Sequence, residues 1–151
     1  MSARHIELEG RLSIADVPDV RRFVENVHHR FVGSDDLSRV AMTAHELLEN
    51  AVKFSADGAA RLRIELADGE IRIITRNRAH PGDVEVLSAF ARRLEAAPSA
   101  MNLYLDLMRS PTPTVGGLGL GRIAAEGEMA LDLALDGDWV QVTAHTVLSA
   151  A

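Results

Sequence analysis

Glu46, Asn50 and Lys53 lie in the segment AHELLENAVKFS, from Ala44 to Ser55. At about 100° per residue they fall along one stripe of a helix. A carboxylate, an amide and an ammonium at i, i+4 and i+7 can handle a metal-bound phosphate. Leu37, Val40, Ala44, Leu47, Leu48, Ala51 and Phe54 fall on a separate broad arc, so the helix would bury one face and present the other. Taken alone, such a polar stripe is more often a solvated helix face with i,i+4 pairing than a site. A distant segment adds to it. Gly116 to Gly121 reads GGLGLG, where closely spaced glycines permit close backbone approach and the following helix offers unsatisfied amides with partial positive charge. Anionic phosphate is the natural guest. The run fits neither a Walker loop nor the dinucleotide fingerprint. It follows Ser110 to Thr114, SPTPT, whose prolines remove amide donors and predict a loop.

The surrounding elements must position these two segments. His5 to Leu8 alternates weakly and predicts a short edge strand, and Ile14 to Val32 carries Val17, Val20, Val24, Val27 and Phe31 at helical spacing. Pro18 fits only near the first turn of that helix. Gly33 and Ser34 separate it from a second helix running to about Phe54, with Ser34 or Asp35 as candidate cap. Ala60 to Leu66 and Glu70 to Thr75 alternate around Ala67-Asp68-Gly69, a hairpin signal. Val84 to Ala97, Met101 to Met108 and Leu118 to about Glu126 predict helices, and Met129 to Leu135 with Trp139 to Val147 predict a last hairpin. Two hairpins with apolar faces need a cover of helices, so the expected class is α+β.

A chain of 151 residues with 47% hydrophobic content is expected to form one domain, 1–151, with its own core. It has no cysteine, which excludes thiolate catalysis, zinc-thiolate sites and disulfides. No window approaches the roughly 18 apolar residues of a membrane span, and no apolar run follows the N-terminal charge at Arg4. A cytoplasmic location without membrane attachment is the expectation. A net charge of −6 and the lack of a basic block argue against nucleic acid as partner. Adjacent His28 and His29 point about 100° apart on a helix and cannot easily share a metal; they are expected to be solvated or at an interface. Trp139 is expected in core or sheet-face packing.

Together the two segments resemble the GHKL ATPase superfamily, the group of gyrase, chaperone, histidine kinase and MutL domains with the Bergerat ATP-binding fold. The resemblance covers about Asp36 to Val147. Glu46-Leu47-Leu48-Glu49-Asn50-Ala51-Val52-Lys53 is similar to its N box, and Gly117-Leu118-Gly119-Leu120-Gly121 to its second glycine box. The resemblance implies a two-layer α+β sandwich, a mostly antiparallel sheet covered on one face by helices, with ATP and Mg²⁺ as cofactors. Residue by residue, it implies that Asn50 holds the Mg²⁺, that Lys53 approaches a phosphate, and that Gly117, Leu118, Gly119, Leu120 and Gly121 cradle the triphosphate. Glu46 matches the general base of the anti-sigma-factor kinase branch.

The chain departs from the pattern where the superfamily has Asp-x-Gly-x-Gly. Here it reads Thr75-Arg76-Asn77-Arg78-Ala79-His80-Pro81-Gly82, which puts Asn77 where an Asp accepts the adenine amino proton. An amide oxygen accepts the same bond without a charge, at a loss of roughly 1 kcal/mol. Asn77 and the GGLGLG run after two helices are similar to the SiaB-type branch of partner-switching kinases. The function implied is an ATP-dependent Ser/Thr kinase acting on a small antagonist-like regulatory protein, possible also as a homodimer. The alternative is a fold relative that has lost catalysis and serves as a protein-binding module. A histidine kinase fragment fits less well: His45-Glu46-Leu47 begins like a phospho-acceptor box, but the expected continuation is absent.

Overall fold

The computed structural model describes residues 3–109, 120, 123 and 129–149. Five strands form an antiparallel sheet: β1 (Arg4–Arg11), β2 (Ala59–Ala67), β3 (Glu70–Arg78), β4 (Ala130–Asp136) and β5 (Trp139–Val147), in the order β1-β2-β3-β5-β4. The helices α1 (Val17–His28), α2 (Ser34–Phe54), α3 (Pro81–Ala96) and α4 (Ala100–Arg109) accompany them. The α+β sandwich expected from the two hairpins is therefore what forms.

Asp68 (φ 53°) and Gly69 (φ 75°) both take positive φ in the turn between β2 and β3, the backbone that matches the right-handed twist of the flanking strands. Gly137 (φ 62°) serves the β4–β5 turn. Alternation then sorts the residues by face. On the covered face Ile64 stands beside Ile73, Leu62 beside Thr75, and Ile73 beside Ala144. Helix α2 packs there through Val40, Ala44, Leu47, Leu48, Ala51 and Phe54, all buried. Fully burying a Leu or Ile contributes about 1.5–3 kcal/mol, so α2 is held by its packing far more than by helix propensity. The other sheet face carries Glu7, Glu9, Arg61, Arg63, Arg72, Arg76, Arg78 and Trp139, none of them buried.

The element boundaries differ from expectation chiefly around α1, β3 and α3. The first helix begins with a 3-10 turn at Ile14–Asp16 and stops at His28 rather than Val32. There Phe31 and Val32 both direct their N–H groups to the His28 carbonyl, at 2.9 and 3.0 Å. The turn lets Gly33 enter α2 in extended conformation as its N-cap; Ser34 is already helical, and no side chain caps the end. The hairpin strands run on to Arg78, and α3 starts at Pro81. The predicted loop at 110–114 lies outside the described residues, while Leu120 and Ile123 in the predicted helix after it are helical and buried.

Asp36, in the first turn of α2, is 3% exposed. It pairs with Arg39, and it accepts the Ser149 N–H at 2.8 Å and the Ser149 hydroxyl at 3.4 Å. The Arg39 bond, helped by Ser149 and opposed by burial, holds its carboxyl below the ordinary 3.8. A depressed folded value means the stabilisation is fully present above pH 3.8 and is lost as pH falls through the folded value. Asp36→Asn should therefore flatten the acid limb of the stability curve below pH 3.8, with a lower plateau at neutral pH. Urea midpoints measured across pH check this; parallel acid limbs would show that Asp36 does not carry the linkage.

Candidate functional site

Helix α2 lies against β2 and β3, and the packing of Leu47, Ala51 and Phe54 pulls the turn between them toward the sheet. Asn50 goes with it and is 8% exposed. The polar stripe is thus graded: Asn50 is buried, Glu46 half-buried and Lys53 exposed.

From the opposite side, the alternation of β3 points Thr75 and Asn77 at the same place, 2% and 4% exposed. Asn50, Thr75 and Asn77 line one crevice of about 10 Å³, closed by Phe54, Leu87 of α3 and Leu120. That is room for about one water molecule. Leu120 is the member of the glycine run that the structure describes; Gly117, Leu118, Gly119 and Gly121 lie outside the described residues.

Polar groups in the crevice are oriented unequally. Asn77 donates Nδ2 to the Arg78 carbonyl at 3.1 Å, and that carbonyl also accepts the Ala56 N–H at 2.8 Å. The bond fixes the amide so that Oδ1 remains as the acceptor. Asn50 differs: its Nδ2 is buried with no hydrogen-bond partner among the described residues, a state that costs about 1–3 kcal/mol.

Lys53 is not aimed at the crevice. Its Nζ donates to Glu49 Oε1 at 2.9 Å, and Glu49 Oε2 lies 3.3 Å from His45 Nε2. Lys53 first, then His45, holds the Glu49 carboxyl below its ordinary value against the opposing effect of burial. Glu46 is half-buried and lies one turn before Asn50.

The structure brings Asn50, Asn77 and Leu120 together and leaves Glu46 and Lys53 outside the crevice lining. Thr75, Leu87, Val140 and Val142 join the lining without having been singled out from the sequence. For Thr75 the signal was available, since it stands two residues before Asn77 on one strand face. Among the described residues, no group of three or more His, Asp or Glu is placed to hold a metal ion. An ion held by Asn50 would take its remaining ligands from phosphate oxygens and water, as Mg²⁺ commonly does.

His28 is buried, with Nδ1 donating to the Val24 carbonyl at 2.9 Å, and so is not solvated, one of the two placements expected for it. His29 is exposed. Trp139 packs on the uncovered sheet face, with the Arg76 and Arg78 guanidinium carbons 4.5 and 4.8 Å from its ring centre.

No helix among the described residues is long and apolar enough to cross a membrane. No protein-family model and no curated protein matches the chain. Among solved structures, a chain of the SiaB–SiaC complex from Pseudomonas aeruginosa aligns with a TM-score of 0.70 at 15% identity, over 93% of this chain and 88% of that one. The chain therefore shares its α+β fold with a protein solved in a two-protein complex.

Proposed function

We propose that this protein is an ATP-binding regulatory Ser/Thr kinase of the partner-switching type, with a GHKL-like site, acting on a small antagonist-like protein. The observation that carries the proposal is the convergence of Asn50, Asn77 and Leu120, which are far apart in sequence, on one crevice. The donor set suits the nucleotide: Asn77 presents an acceptor for a purine amino group, and Asn50 brings a buried amide whose Nδ2 has no partner among the described residues. Mg-ATP, when bound, supplies the phosphoryl group and the charge neutralisation. Asn50 would hold the ion, and Glu46 would take the proton from the partner's hydroxyl as general base. Its fold neighbour's assembly with a second protein supports a protein as the object of the activity.

A second reading, a protein-binding module without catalysis, is favoured by two observations. A crevice of about 10 Å³ is far below the roughly 300–1,000 Å³ of ligand pockets, and Lys53 is held by Glu49. On the kinase reading Leu87 and Leu120 must part from Phe54 before a purine enters. Calorimetric titration with Mg-ATP separates the two. The kinase reading expects saturable heat that vanishes in Asn50→Ala at unchanged fold; no heat at high micromolar protein rejects it in favour of the module.

A further inference from the structure

The uncovered sheet face divides into unlike halves. On β1 and β2 the charges neutralise one another: Arg61 lies 2.8 Å from Glu7, and Arg63 lies 3.3 Å from Glu65. On β3 and β5 the strand residues of this face include Arg72, Arg76, Arg78 and His145 but no carboxylate between Arg72 and Arg78 or between Trp139 and His145. Glu70 and Asp138, at the strand ends, reach Arg72 and Arg78 at 3.5 and 4.0 Å. Asp132 and Asp136 of the outer strand β4 pair with none of these cations among the described residues. Arg76 is left in the middle, without an ion pair among the described residues and stacked against Trp139. These two residues border a groove of about 300 Å³ lined also by Arg61 and Arg78 and by two carboxylates, Asp57 and Glu9, the latter 3.9 Å from Arg61, so that Arg76 is the lining cation without an ion pair among the described residues.

We propose that this groove docks an acidic segment of a partner protein, with a carboxylate engaging Arg76 beside Trp139. Stacking holds the guanidinium in plane and leaves its N–H edge for a bidentate carboxylate. Arg and Trp are also the side chains that dominate protein–protein contacts. In a chain of net charge −6, an unpaired cation on an uncovered face is a local site for such an anion rather than part of a general basic surface. The groove lies across the sheet from the crevice, behind Asn77, which borders both. The assignment does not depend on nucleotide binding.

Trp139 is the chain's one tryptophan, so its fluorescence reports directly on the groove. A fluorescein-labelled glutamate-rich peptide of about ten residues should bind saturably by anisotropy and perturb Trp139 emission. Salt at about 0.5 M should weaken it. Arg76→Gln should weaken it about tenfold, with Arg78→Gln as a second variant and thermal melting as the check on folding. Equal binding by both folded variants, or no saturable binding, overturns the proposal. So does stronger binding of an oligodeoxythymidine than of the peptide. A change of mass by light scattering in Arg76→Gln alone would assign the face to a second copy of this chain and overturn it as well.

Discussion

Glu46→Gln is expected to slow phosphotransfer from ATP to the protein partner by about a hundredfold or more, the worth of a positioned general base. Mg-ATP binding should stay within about threefold, because an interaction made only in the transition state is lost without loss of ground-state binding. The side chain does not line the crevice, and Gln preserves its size while removing the carboxylate. Two other acids flank the position. Glu49 is unsuited as base because Lys53 and His45 hold its carboxyl below the ordinary value, which stabilises the carboxylate and weakens its pull on a proton. Asp36 is engaged by Arg39 and Ser149 at the far end of α2. Glu49→Gln should therefore change the rate little. It releases Lys53, but an exposed i,i+4 pair is worth only about 0.3–0.5 kcal/mol, so the release shifts nucleotide affinity by no more than about twofold. Transfer of labelled phosphate to a co-purified partner, measured in a single turnover, decides the matter. If Glu46→Gln transfers at the wild-type rate, Glu46 is not the base.

What could be read from sequence was local. The hairpins were legible because alternation and the Asp68-Gly69 turn are properties of adjacent residues, and the structure keeps the predicted turn and lengthens the strands by one to three residues. The end of α1 was not. Phe31 continues the helical spacing, yet the chain turns at His29 so that Gly33 can enter α2 extended. Helical spacing reports which residues share a face, not where the next element must begin.

The site shows the same division. A helical wheel put Asn50 with Glu46 and Lys53, which is right for one isolated helix. Its burial depends on Leu87 and Leu120, supplied by segments far along the chain. The Arg76–Trp139 contact was invisible for a related reason. Arg76 pairs directly with Gln141, and Trp139 with Arg78, so the stack is a diagonal contact that exists only once β3 and β5 align in that register. Resemblance supplied Asn77 as a position, but the Nδ2 bond to the Arg78 carbonyl, which leaves Oδ1 as the acceptor, is visible only in the structure.

Asn50→Leu is expected to make the protein more stable while abolishing its nucleotide heat. The Asn50 Nδ2 is buried and makes no hydrogen bond among the described residues, and the crevice around it is mostly apolar, with Leu47, Phe54 and Leu87 beside Thr75 and Asn77. Removing an unsatisfied donor recovers part of a desolvation cost of about 1–3 kcal/mol, and Leu occupies similar volume. At this chain length about 1 kcal/mol raises the melting temperature by roughly 2–4 °C, so the variant should melt a few degrees above wild type. A residue selected only for packing would not show this pattern, because replacing a well-satisfied buried amide with Leu strands its partners and lowers stability. The alternative is concrete: a water in the crevice, which has room for about one, could satisfy Nδ2. In that case Asn50→Leu would melt lower than wild type, and Asn50 would be a structural residue. Differential scanning calorimetry without nucleotide, followed by Mg-ATP titration on the same sample, gives both values. Higher stability with lost binding identifies Asn50 as a position where stability is given up for a ligand.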